Sequence, residues 1–274
     1  MTALCYHRVM GRVGWTLMCC LVALPAVYAA DAKDPLSQAR LLYNQRQFEA
    51  AVTTAERARL APNLADRADL IAARAYLERF RESAASGDLT NARERLRRFN
   101  PQRFDSRERL EFLVGLGEAL YFDESYGAAA DVFESALEPS DGPPADSRER
   151  VLDWWASAVD RDAWPRLEIE RQIAYQRIRG QMRDELAMHP GSGTAAYWLA
   201  ASARAQGDLQ AAWDAAQAGW VRAPLASDHG AALRADLDLL MMRAIVPERA
   251  RVLAQPSDVL RLEWEKFKDR WKND

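Results

Sequence analysis

The sequence predicts an all-α protein, a solenoid of about five stacked helix pairs with further helices closing its C-terminal end. Two observations predict it. Apolar residues recur at helical offsets from four starting points, Phe48, Leu89, Tyr126 and Leu209, and a short polar turn precedes each. No stretch alternates apolar and polar residues with the two-residue period of a strand.

The spacing is clearest from Tyr126, where Ala129, Ala130, Phe133, Ala136 and Leu137 follow at i+3, i+4, i+7, i+10 and i+11. These offsets lie on one face of an α-helix. Leu209, Ala212, Trp213, Ala216, Gly219 and Trp220 repeat them in full. Phe48, Ala51, Val52, Ala55 and Ala58 repeat all but the last, and Leu89, Ala92, Leu96 and Phe99 follow with Arg93 at the i+4 place. The starting points are 41, 37 and 83 residues apart, so one copy is missing from the last interval. Leu167, Ala174 and Ile178 are predicted to supply it in degenerate form, with Glu170 where Ala is expected.

Each copy is preceded by a turn, at Gln45–Gln47, Ser86–Asp88, Asp123–Ser125 and Gln206–Asp208. Gly87 and Gly207 are expected to supply the left-handed residue that ends one helix, and Asp or Ser to cap the next. Before the third turn, Leu110, Leu113, Val114, Gly117, Leu120 and Tyr121 form the stripe of a partner helix. Glycine inside a helix costs about 1 kcal/mol against alanine, so Gly117 implies a close approach, expected here from Ala129.

The chain resembles the tetratricopeptide repeat family on these residues. The segment Thr194–Pro224 carries the family pattern at Ala200, Gly207, Ala212, Ala216 and Pro224, and Arg107–Pro139 carries it at Gly117, Ala129, Phe133, Ala136 and Pro139. Pro62 and Pro101 close the two earlier copies. The spacing here is longer than the family's, and Asp146–Pro190 fits loosely. The resemblance implies a right-handed superhelix and a role in protein–protein interaction, without catalysis or cofactor.

The expected organisation is a signal peptide at 1–29, N-terminal repeats at 34–139, a Pro/Gly linker at 140–145 that hinges or offsets the two halves, a degenerate repeat at 146–190, a further repeat at 191–226 and C-terminal helices at 227–274. In the last part, a helix is expected from about Asp228 to Ala244, followed by Pro247 and Pro256. Ser257 is expected to cap a final helix whose Leu260, Trp264, Phe267 and Trp271 cover the last repeat.

The first thirty residues contain no Asp or Glu. Arg8 and Arg12 precede the apolar run Trp15–Leu24, and Val27-Tyr28-Ala29 offers a small-x-small exit. This pattern marks an export signal, either from Met1 or from Met10, and a periplasmic destination. Its apolar core is too short for a membrane-spanning helix, and no longer apolar run follows. Lipidation at Cys19 or Cys20 is disfavoured, because the residues before them are not small. Cleavage after Ala29 removes all three cysteines, and with them any disulfide or thiolate metal site.

Losing Arg8 and Arg12 leaves 35 basic residues against 40 acidic, a net charge of −5. That mild acidity argues against nucleic acid or an anionic membrane as partner. Only His189 and His229 remain as imidazoles after cleavage, so no metal or cofactor is expected. His189 before Pro190 suits a helix end, where a cation meets the dipole favourably. Gly191-Ser192-Gly193 lacks the strand and the full G-x-S-x-G of a nucleophile loop. Asp123 and Glu124 are adjacent and diverge, as solvated surface acids do.

Two features are candidates for binding. Arg93, Arg95, Arg97, Arg98, Arg103, Arg107 and Arg109 stand against Glu94, Asp105 and Glu108, a local excess of +4. Arginine forks suit carboxylates, so an acidic segment can dock there, while pairs such as Glu94–Arg98 are the structural alternative. Trp154 and Trp155 are adjacent and cannot face the same way, which points one of them at a groove. The function expected is an exported, non-catalytic adaptor that holds another envelope protein or peptide segment; self-association is open. The alternative is an enzyme or binder of cell-wall polymer that uses dispersed acidic residues.

Overall fold

The structure is a computed structural model and describes residues 34–138, 144–226 and 228–272. The signal segment 1–29 and positions 140–143 of the linker lie outside the described residues. Helix follows helix: α1 (Pro35–Asn44), α2 (Phe48–Ala58), α3 (Ala65–Ser83), α4 (Ser86–Arg98), α5 (Ser106–Phe122), α6 (Tyr126–Leu137) and α7 (Ala145–Ala163). Then come α8 (Glu168–Met188), α9 (Gly193–Ala205), α10 (Leu209–Arg222), α11 (Ala231–Leu240), α12 (Val246–Leu253) and α13 (Ser257–Arg270). There is no strand among the described residues.

The helices form an all-α solenoid of stacked pairs. In each pair the second helix packs on the first and also on the first helix of the next pair, as α2 does on α3 and α6 on α7. The first helices touch one another in sequence, α1 on α3, α3 on α5, α5 on α7, α7 on α9 and α9 on α11. They make a continuous row along the stack, which is the surface that positions the site. No described helix is long and apolar enough to cross a membrane.

The apolar stripes read from sequence are the buried ones. Phe48, Ala51, Val52, Ala55 and Ala58 are buried in α2, and Ala129, Ala130, Phe133, Ala136 and Leu137 in α6. Ala212, Trp213 and Ala216 do the same in α10. One core cluster runs from Ala129 in α6 through Trp155 and Trp213 to Phe267 in α13. It crosses the 140–145 break without interruption, and Arg148 reinforces the joint by donating to the Leu137 carbonyl oxygen at 3.2 Å.

Several local expectations need correction. Gly87 is not the turn residue. The left-handed residue is Ala84 (φ 54°), and α4 begins at Ser86 with Gly87 in its first turn. Arg46, Glu124 and Gly207 hold the equivalent place, two residues before their helices, so only one of four such turns uses glycine. Gly117 meets Phe133 rather than Ala129: a Cβ there would lie 2.6 Å from the ring. In the degenerate copy, Leu167 is 72% exposed, and the buried stripe is Tyr175, Ile178, Met182 and Leu186. Glu170 has its own reason, since its carboxylate accepts the Leu167 backbone N–H at 3.1 Å and so caps α8.

The helix expected to end near Ala244 continues through Pro247 to Leu253. Helix α11 passes through a π-helical turn at Met241–Ile245 straight into α12, with Pro247 in its first turn. The wider turn accommodates a residue that has no N–H and would crowd the carbonyl four residues back. In α13, Leu260, Trp264 and Phe267 are buried as a cap, but Trp271 lies beyond the helix and is half-exposed. Ser257 is the first helical residue, and Pro256 occupies the cap position. His189 does end α8, with Nδ1 2.9 Å from Glu185.

Candidate functional site

The arginines that crowd together in sequence do not form one site. Arg93 donates to both carboxylate oxygens of Asp123 at 2.9 and 3.0 Å, tying α4 to the next turn. Arg95 bridges Asp69 at 2.6 Å and Glu56, which locks α4 to α3 and α2. Arg98 makes the expected i, i+4 pair with Glu94 at 3.3 Å. Arg97 is exposed, with no acid in bridging range among the described residues. Arg103 lies 3.7 Å from Asp66, and Arg109 donates to the Phe104 carbonyl oxygen at 3.1 Å. Of the seven, Arg107 alone lines the groove between the first helices.

That row carries a groove of about 210 Å³ between α1, α3, α5 and α7. Arg40, Arg74, Arg107 and Arg150 line it, with Tyr43, Leu110 and Val114 as the apolar floor and Glu111 as the one acid. Arg40 holds Glu111 at 2.5 Å. Arg74 is buried and donates to Glu118 at 2.5 Å, while the other Glu118 oxygen has no partner. Burial works against the Arg74 charge, but Glu118, Tyr43 and Glu78 together outweigh it and the guanidinium stays firmly protonated; burial in turn pushes the Glu118 carboxyl up despite Arg74. Arg107 and Arg150 are held loosely, at 3.5 Å from Glu111 and 3.8 Å from Glu78, with 82% and 48% of their side chains exposed.

Three of these groove arginines lie outside the sequence cluster, and a usable signal for them exists. Positions 40, 74, 107 and 150 are separated by 34, 33 and 43 residues, one arginine per first helix at about the repeat period. Charge counted along the chain misses it, because the stack gathers residues a repeat apart.

The two adjacent tryptophans separate as expected, but neither lines this groove. Trp155 is buried, with the Arg177 guanidinium 5.7 Å from its ring centre. Trp154 is half-buried in an aromatic cluster, 4.7 Å from Tyr121 and 5.5 Å from Phe122 by ring centres. Asp123 and Glu124 stay at the turn surface, as neighbours on a solvated loop do.

A second groove, of about 560 Å³, lies farther along the row between α7, α8 and α9, with Leu240 at its edge. Asp160, Trp164, Tyr175, Tyr197, Trp198 and Arg204 are among its walls. Burial, followed by Asp160, pushes the Tyr175 hydroxyl up to about 12, so it stays protonated; burial also raises Asp160 above the usual aspartate range. Among the described residues no three His, Cys, Asp or Glu side chains converge as a metal site. Comparison with protein-family models, with curated proteins and with solved structures finds no match for this chain.

Proposed function

We propose that this chain is an exported, non-catalytic adaptor of the tetratricopeptide-like type, which holds a segment of another cell-envelope protein along its row of first helices. The observation that carries the reading is the first groove, where four successive first helices each contribute one arginine beside an apolar floor. Guanidinium forks recognise carboxylates with two parallel hydrogen bonds, so an acidic segment with apolar neighbours fits. Arg107 and Arg150 are the ones free to turn toward it. Arg40 and Arg74 are already committed to Glu111 and Glu118 and serve to hold the walls. Loss of the export signal's three cysteines leaves a chain suited to an oxidising compartment.

Affinity capture after crosslinking in cells, read by mass spectrometry, tests this. One dominant envelope protein should be recovered in near-equal amount, and Arg107→Glu with Arg150→Glu should abolish its recovery. Reversing Arg97 and Arg98, which lie on the second-helix row, should leave it. Recovery of the bait alone would overturn the reading.

A further inference from the structure

We propose that the second groove, between α7, α8 and α9, binds an oligosaccharide of pyranose rings. The inference goes beyond the partner reading and stands on a different groove, different residues and a different ligand. A pyranose ring has a face of C–H groups and a rim of hydroxyls, each able to donate and accept. A site for it therefore needs flat apolar ring faces beside uncommitted charged or polar ends. This groove has both, in a volume of about 560 Å³, within the range of about 300–1,000 Å³ usual for small-molecule sites.

The ring faces come first. Trp164 is 77% exposed at the lip of the groove, an unusual placement for the largest apolar side chain. Trp198 is half-buried, and its indole N–H donates to Asp153 at 2.8 Å. The polar edge of that ring is thus occupied, and its face is left for contact. Tyr197 stands beside it at 5.8 Å between ring centres.

The polar rim follows. Arg204 uses Nε and Nη2 on Glu248, and its Nη1 makes no hydrogen bond among the described residues. Arg171, which lines the same groove, binds Glu168 through Nη2, and its Nη1 and Nε make no hydrogen bond among the described residues. Asp160 lines the same groove with no Lys or Arg in bridging range among the described residues; the Tyr175 hydroxyl donates to its carboxylate, which keeps further acceptor capacity. Donors and an acceptor lining one groove supply what a rim of sugar hydroxyls needs. The aliphatic lining is only Ala201, Ala205 and Leu240, so the apolar surface of the groove is mostly aromatic ring. Cleavage is not part of the proposal: it takes two working carboxyls, and Glu168 is held by Arg171 and by Gln172 at 2.7 Å.

The test is co-sedimentation of the purified protein with insoluble peptidoglycan, chitin and cellulose, and titration with an N-acetylglucosamine trimer read by tryptophan fluorescence. At least one of these glycans should bind saturably. Trp164→Ala should weaken that binding about ten-fold or more, the effect of removing a central aromatic anchor, with an unchanged unfolding midpoint because the ring is exposed. Asp160→Asn should weaken it several-fold, while the pair Arg107→Glu and Arg150→Glu should leave it intact. Binding of none of the four glycans, binding indifferent to Trp164→Ala, or binding lost with the Arg107 and Arg150 pair would each overturn the proposal. So would a peptide captured at Trp164 in place of glycan. Partner capture can fail without touching any of these results.

Discussion

At Gly117, α5 and α6 come so close that a single added methyl would lie 2.6–2.9 Å from three atoms of the Phe133 ring. Phe133 is fully buried and has no room to withdraw. Gly117→Ala should therefore cost about 1–3 kcal/mol, the usual penalty for overpacking. Gly87, inside the first turn of α4, has nothing within 4 Å of its missing Cβ. Gly87→Ala should gain up to about 1 kcal/mol from helix propensity alone. Urea midpoints of the two variants, moving in opposite directions, check both. The sequence marks Gly117 as a contact point, because glycine in a helix asks for a reason. It does not reveal the partner, which depends on the rotamer of an aromatic side chain on the facing helix.

Glu185 gives a pH dependence with a definite sign. It is buried, accepts Arg148 through both oxygens at 2.7–3.1 Å, and has His189 at 2.9 Å. Burial opposes its ionisation, but Arg148 and then His189 outweigh burial and hold the carboxyl below its ordinary 4.5. A depressed folded-state pKa contributes stability above the unfolded pKa, and that stability is lost as pH falls through the folded value. Glu185→Gln should cost about 3–5 kcal/mol at pH 7, as breaking a buried pair does. The difference from the parent should shrink as pH drops below 4.5, measured by denaturation across the acid range.

At the scale of the element, the periodicity is legible because burial imposes it. The stripes of α2, α6 and α10 were readable for that reason, and so was the cap made by Leu260, Trp264 and Phe267. Turn geometry is less legible. Arg46, Ala84 and Glu124 adopt left-handed backbone without glycine, and the packing of two helices at each turn offsets a cost of about 1–2 kcal/mol. The α11–α12 junction escapes sequence reading for a similar reason: a proline signals a stop, and a π turn removes the conflict. Helix α13 covers the open end of the stack. Trp264 packs at 5.4 Å on Trp220 and 6.2 Å on Trp213 by ring centres, and its N–H donates to Asp238 at 2.9 Å. Deleting residues 257–274 should remove on the order of 5 kcal/mol of apolar burial and leave an uncapped stack. Thermal unfolding with light scattering should show a lower midpoint and aggregation; an unchanged, soluble transition would mean that α13 is not a cap.

At the scale of the whole molecule, the stack turns widely spaced residues into neighbours. The sequence shows seven arginines within seventeen positions, yet helix pairing sends them to different faces and commits most of them to bracing. The groove arginines come instead from α1, α3, α5 and α7, one per repeat, and residues 40 to 150 meet only in the fold. The second groove is the same kind of product, built from aromatic residues of three helices that look like ordinary core candidates in the sequence. The arginine groove opens among the first helices of one half, and the aromatic groove between α7, α8 and α9 in the other.

Site-specific photocrosslinking in cells tests the arginine groove most directly, with a photoreactive residue at Val114 in the groove floor or at Thr53 on the exposed face of α2. A discrete adduct to one envelope protein should form from position 114 and none from position 53, and the adduct should be lost when Arg107 and Arg150 are both changed to Glu. Equal adducts from both positions, or an adduct from 53 alone, would contradict that groove as the partner site.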